Sequence, residues 1–153
     1  MTLRPGDRAP AFDLPSDDGG RFRLSDLKGR RFVLFFYPKD DTPGCTREAC
    51  EFRDELHRFD ERNVAVLGIS PDPVASHSKF KAKHNLNFPL LADEDHAVAD
   101  RFGVWTEKQM FGRTYWGVER STFLIDEAGV IARVWRKVRP KGHAGAVAAA
   151  LSD

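Results

Sequence analysis

Two cysteines stand five residues apart in the run Thr42-Pro43-Gly44-Cys45-Thr46-Arg47-Glu48-Ala49-Cys50, and the residues around the first can make it a redox nucleophile. The segment before them, Phe32 to Tyr37, is apolar and rich in residues that favour strands. After a turn, Thr42 suits a helix N-cap, with its hydroxyl expected to accept a bond from an amide two or three residues on. Pro43 suits the first helical position, where a missing N–H costs nothing and φ is already helical. A residue before proline is pushed toward extended backbone, as an N-cap requires. Cys45 then falls in the first helical turn. Unpaired amides and the positive end of the helix dipole favour an anion there. The thiolate is that anion, and it is the nucleophilic form of cysteine.

Cys50 lies in the same expected helix. At about 1.5 Å rise and 100° rotation per residue, the two Cα atoms would sit roughly 8–9 Å apart on different faces. A disulfide rarely tolerates more than about 7 Å. The pair therefore cannot bond while the helix is intact, and can if its first turns unwind, which describes a redox switch. Other uses of two cysteines are weaker. Either could be a small buried apolar residue, Cys50 more readily than Cys45. A Cys-x4-Cys pair without a neighbouring histidine pair does not close a tetrahedral metal site, and His57 is expected on an exposed charged face. The Cys-x-x-Cys signature of dithiol reductases is missing.

The elements that must position these residues alternate along the chain. Strands are expected at residues 21–24, 32–37, 63–70, 90–91, 122–125 and 130–135. Helices are expected at residues 43–61, 73–84, 96–102 and 144–151. Asp126-Glu127-Ala128-Gly129 predicts a hairpin turn between the last two strands. Strands separated by helices argue for parallel β-α-β units, and the hairpin makes the sheet mixed, so the chain is of the α/β class. The stretch from Gly103 to Glu119 carries Trp105, Met110, Phe111, Tyr115 and Trp116 and predicts a loop or irregular hairpin near the site. Its aromatic cluster, if exposed, could dock a reductant or a second subunit.

A chain of 153 residues predicts one domain over 1–153 with a real core. A net charge of +1 supplies no field for nucleic acid or anionic membranes, and the basic run from Arg133 to Arg139 alternates like a half-exposed strand. No apolar stretch approaches the roughly 20 residues of a membrane span. The first residues lack the apolar core of a signal segment. A cytoplasmic location is expected, where disulfides are transient and catalytic.

The segment from Pro38 to Cys50 resembles the active-site segment of peroxiredoxins, and within them the bacterioferritin-comigratory-protein (PrxQ) subfamily. The family pattern Pro-x-x-x-Thr/Ser-x-x-Cys matches at Pro38, Thr42 and Cys45. The resemblance runs from Gly6-Asp7-Arg8-Ala9-Pro10-Ala11-Phe12 to Lys141-Gly142-His143. Between them it passes through Val66–Asp72, Phe88–Asp93 and Arg120–Asp126. It implies a thioredoxin-like fold with a central mixed β-sheet flanked by helices. It also implies reduction of hydrogen peroxide and organic hydroperoxides without metal, haem, flavin or other cofactor.

By that resemblance Cys45 is the peroxidatic cysteine and Cys50 the resolving one, condensing with the Cys45 sulfenic acid to an intramolecular disulfide. Thr42 would hold peroxide and thiolate in line, Pro38 would shield the sulfur, and Arg120 would be the cation beside the thiolate. Glu48 would orient an arginine. A thioredoxin-like dithiol protein would reduce the disulfide, and the chain would act as a monomer or weak homodimer. A redox-sensing or holdase module and a general thiol–disulfide oxidoreductase are the alternative functions. Asp41 departs from the aromatic or apolar residue that related sequences often place before the threonine. Asp40 and Asp41 would together oppose thiolate formation unless both point to solvent.

Overall fold

A computed structural model describes residues 2–151. Its centre is a five-stranded sheet in the order β5-β4-β3-β8-β9, where β3 is Arg31–Phe36, β4 Val64–Ser70, β5 Leu90–Ala92, β8 Ser121–Ile125 and β9 Ile131–Trp135. Strands β3, β4 and β5 run parallel, β8 runs antiparallel to β3, and β9 runs antiparallel to β8, so the sheet is mixed as expected. Two further pairs stand outside it: β1 (Asp13–Pro15) with β2 (Arg21–Arg23), and β6 (Trp105–Met110) with β7 (Arg113–Val118). The helices are α1 (Pro43–Glu61), α2 (Val74–His84), α3 (Ala97–Arg101) and α4 (His143–Ala150).

Strand β3 is apolar on both faces because both are covered. Phe32, Leu34 and Phe36 join one core with Val98, Ala99 and Phe102 around α3 and with the N-terminal segment. Val33, Phe35 and Tyr37 join the other with α1, Phe80 of α2 and the alanine-rich α4. A period of two sorts one strand between two layers of helix. Helix α1 places Cys45, Glu48, Ala49, Phe52 and Phe59 on its buried face, at spacings close to three, four and seven. Phe52 stacks on Phe35 with ring centroids 4.5 Å apart, which fixes α1 over the middle of the sheet.

Several expectations change in detail. The pair β1 and β2 adds a strand that sequence periodicity does not show, and Leu24 opens a 3-10 turn, Leu24–Leu27, instead of ending a strand. The Gly103–Glu119 stretch is a regular hairpin whose register runs from Trp105 opposite Val118 to Met110 opposite Arg113. Its two-residue turn, Phe111-Gly112, has φ of 53° and 74°, the double left-handed turn that suits the twist of antiparallel strands. Phe111 at its tip is 96% exposed, with Met110, Tyr115 and Trp116 also open to solvent. Among the described residues no helix is long and apolar enough to cross a membrane.

Candidate active site

The site forms where β3 ends. In the β3–β8 register Phe36 lies opposite Ser121, so the residues just after β3 lie beside the residue just before β8. That residue is Arg120, and the residues after β3 lead through Pro38 and Thr42 into α1. Helix α1 begins at Pro43 with extended Thr42 before it, as expected. The cap itself differs. The Thr42 hydroxyl donates to the Lys39 carbonyl oxygen at 2.8 Å and makes no bond to the helix amides. Within the six residues that link strand to helix, the chain from Lys39 to Thr42 turns back on itself, so the hydroxyl closes the turn.

Cys45 is almost fully buried on the inner face of α1, while Cys50 is half-buried off that face, and both thiols are free. The intact helix separates them, as its geometry requires. Arg120 joins the site through both ends of its guanidinium. Its Nη2 donates to Cys45 Sγ at 3.3 Å and its Nη1 donates to Glu48 Oε1 at 2.7 Å. Glu48 lies one turn beyond Cys45 and is wholly buried, with Oε2 unpaired among the described residues. Burial pushes its carboxyl up to about 7, with Arg120 pulling the other way. Gly44 makes room for the guanidinium: a β-carbon there would lie 3.2 Å from Arg120 Nη2 and 3.4 Å from Pro140 Cγ.

The C-terminal segment closes the far side. Val138 donates its amide to the Arg120 carbonyl at 3.0 Å, and the Gly142 amide donates to Glu51 Oε1 at 2.8 Å. His143 packs edge-on against Phe52 and Trp135, with Nε2 2.7 Å from the Thr122 hydroxyl. Burial, then the charge of Arg120, lowers His143 to about 4. Lys108 on β6 is a cation the sequence does not mark. Burial and then Arg120 hold its ammonium below the usual range, while Cys45 and Glu119 act the other way. The hairpin thus reaches the electrostatic field of the site.

Pro38 stands half-buried at the head of the turn. His57 is exposed, as expected for a charged helix face. The two aspartates require a correction, because Asp40 does not point to solvent. It is buried and bonded to Tyr37, Ser76 and His77, while the exposed Asp41 pairs with Lys83 and His84. Both carboxylates are engaged by donors on other elements, so neither faces the thiolate unbalanced.

A pattern of thiol, guanidinium and buried carboxylate at a strand-to-helix junction can hold a sulfur anion and stabilise charge developing on a bound oxygen. The AhpC/TSA family model matches residues 5–134. The chain belongs to that family. It is similar over its whole length to the peroxiredoxin Bcp of Bacillus subtilis, with 50% identity across 100% of this chain and 98% of that one. A Xylella fastidiosa PrxQ carrying a cysteine-to-serine substitution superposes with a TM-score of 0.93. It is 39% identical and covers 99% of this chain and 96% of its own. The bacterioferritin comigratory protein of Xanthomonas campestris, solved as trapped intermediate and ligand complexes bearing on alkyl peroxide reduction, superposes at 0.89. Its identity is 41%, over 99% of this chain and 96% of that one. The fold is therefore the thioredoxin-like fold of peroxiredoxins, and the chain is a thiol-dependent peroxidase.

Proposed function

We propose that the chain reduces hydrogen peroxide and organic hydroperoxides by an intramolecular two-cysteine cycle. The Cys45 thiolate attacks the hydroxyl oxygen of the peroxide. An S–O bond forms, the O–O bond breaks, and the departing oxygen leaves as water or an alcohol after taking a proton. Arg120 touches the sulfur and stabilises charge on the departing oxygen, a role for which a permanently protonated fork is suited. The Thr42 hydroxyl proton is directed to Lys39, so its lone pairs are free to accept the peroxide O–H and aim the O–O bond along the line of attack. Pro38 covers the approach, and Glu48 holds the guanidinium square to the sulfur.

The first turns of α1 then unwind and the Cys50 thiol attacks the Cys45 sulfenic acid, forming the disulfide and releasing water. Speed here protects Cys45 from further oxidation to the sulfinic form. A thioredoxin-like dithiol protein takes the disulfide back to two thiols in a reducing, cytoplasmic setting. The chain works as a monomer or weak homodimer, which sedimentation at micromolar concentration checks.

The observation that carries this reading is the Arg120 guanidinium shared between Cys45 Sγ and Glu48. Its test is peroxide-dependent NADPH oxidation coupled through thioredoxin and its reductase. Cys45→Ser should abolish turnover, and Cys50→Ser should permit one turnover and then stall or overoxidise. Substantial turnover by Cys45→Ser would sink the proposal. Steady, full-rate turnover by Cys50→Ser would remove the intramolecular step alone. Insulin-type disulfide reduction without peroxide consumption would favour a general thiol–disulfide oxidoreductase.

A further inference from the structure

The turn between β3 and α1 is gripped by a buried polar network that the cycle above does not use. Asp40, at its middle, is 8% exposed. Its Oδ1 accepts the Tyr37 hydroxyl at 2.6 Å, and its Oδ2 accepts the Ser76 hydroxyl at 2.8 Å and lies 2.7 Å from His77 Nδ1. The Asp40 amide donates to Asp72 Oδ2 at 2.8 Å, which also accepts the Ser70 hydroxyl at 2.7 Å. His77 is completely buried, with Nε2 2.9 Å from the Leu91 carbonyl oxygen. A carbonyl oxygen only accepts, so Nε2 carries a hydrogen. The Nδ1–Oδ2 contact then holds a second proton, whichever partner carries it.

The atoms of Asp40, Asp72 and His77 lie close enough together to suggest a metal site. Protein donors and acceptors already engage them, which makes the cluster a hydrogen-bond network. Its place in the fold shows what it acts on. The turn closes on itself through the Thr42 hydroxyl and the Lys39 carbonyl. Asp41 within it takes a φ of 58° and bonds to Lys83 and His84 at 2.7 and 3.1 Å. Helix α2 therefore holds two successive residues of the turn, and Asp72, two residues past the end of β4, holds a backbone amide. A buried ionic or polar pair adds little net stability compared with apolar residues of the same size. What this one supplies is direction, since a carboxylate with three side-chain partners and a fixed amide has one orientation.

We propose that Asp40 and His77 are positioning residues of the peroxidase. They fix the turn so that Thr42 and Pro38 face the peroxide, and they act through Thr42 without touching the sulfur. This rests on the peroxidase reading above.

The test compares two reactions of Cys45 in Asp40→Asn and in His77→Gln. Oxidation by hydrogen peroxide, followed by rapid mixing, should slow roughly tenfold or more, as misaligned reacting groups do. Alkylation by iodoacetamide needs the thiolate but not the peroxide geometry, so its rate and pH midpoint should match wild type. In a Thr42→Val background, Asp40→Asn should slow peroxide oxidation by less than about twofold further, because residues acting through one another are not additive.

The proposal is overturned if the peroxide and alkylation rates fall together, if both variants keep the wild-type peroxide rate, or if the Asp40 and Thr42 losses multiply. If Asp40→Asn does not fold, the same comparisons on His77→Gln and Ser76→Ala decide. A wild type inert to peroxide takes both readings down. A wild type that is active and loses activity in Cys45→Ser isolates any failure to the positioning role.

Discussion

At Gly44 the informative side chain is the one that is missing. Its backbone is ordinary helix, so the residue is not there for left-handed freedom. What a side chain there would do is crowd Arg120 Nη2 and Pro140 Cγ. Gly44→Ala should leave the thermal midpoint unchanged or slightly raised, since alanine is the better helix former by up to about 1 kcal/mol. It should nonetheless displace the guanidinium by a few tenths of an ångström. Oxidation of Cys45 should then slow roughly tenfold, part of the ~2.7–4 kcal/mol that a lost oxyanion donor costs. Melting curves beside rapid-mixing rates check this, and a fully active, stable Gly44→Ala would show that the guanidinium has room to spare.

Two buried titratable groups sit on the packed pair of helices α1 and α4, and they pull stability in opposite directions. Glu48 of α1 is raised from 4.5 to about 7, so the folded state binds its proton more tightly than the unfolded chain does. Its contribution is present below about 4.5 and is lost as pH rises through about 7. His143 at the start of α4 is lowered from 6.5 to about 4, so its contribution is present above 6.5 and is lost as pH falls through about 4. The two slopes oppose each other over one window. Glu48→Gln should remove the first and expose the second, so the variant loses stability on acidification from pH 7 to 5 more steeply than wild type. Urea midpoints across that range measure it, and parallel curves for the two proteins would contradict the assignment. The same helices would frame the resolving step proposed for Cys50. Glu51 on α1 both pairs with Arg47 one turn back and accepts the Gly142 amide, so unwinding the first turns loosens the contact with α4.

The whole molecule depends on how closely α1 and β4 approach β3. Gly68 on β4 shows how close: a β-carbon there would come within 2.9 Å of Phe35 Cζ and 3.0 Å of Leu90 Cδ2. Phe35 in turn carries Phe52 of α1 on its ring face. Gly68→Ala should therefore destabilise the fold by about 1–3 kcal/mol, the usual cost of overpacking, despite the lower entropy of its unfolded chain. Guanidinium unfolding would register it as a lower midpoint at constant slope. An unchanged midpoint would mean that the core at β3, β4 and β5 is looser than its distances say.

Much of the local geometry of the site was legible in the residues because it depends on near neighbours in the chain. A proline after an extended threonine starts a helix wherever it falls in a fold, so the limits of α1 and the first-turn place of Cys45 followed from the sequence, as did the separation of Cys50 on an intact helix. Apolar runs and turn residues likewise marked the central strands and the alternation that makes the fold α/β. The pairing of Arg120 with Cys45 spans 75 residues and was reachable only through the family resemblance, because it follows from the antiparallel register of β3 and β8. The target of the Thr42 hydroxyl was decided by the shape of the turn. The burial of Asp40 against His77 joins residues 37 apart on different elements, and no local pattern distinguishes that aspartate from the exposed one beside it. Sequence determines what depends on neighbouring residues; only the assembled tertiary structure decides which distant side chains share a buried space, since that choice is made by packing and register.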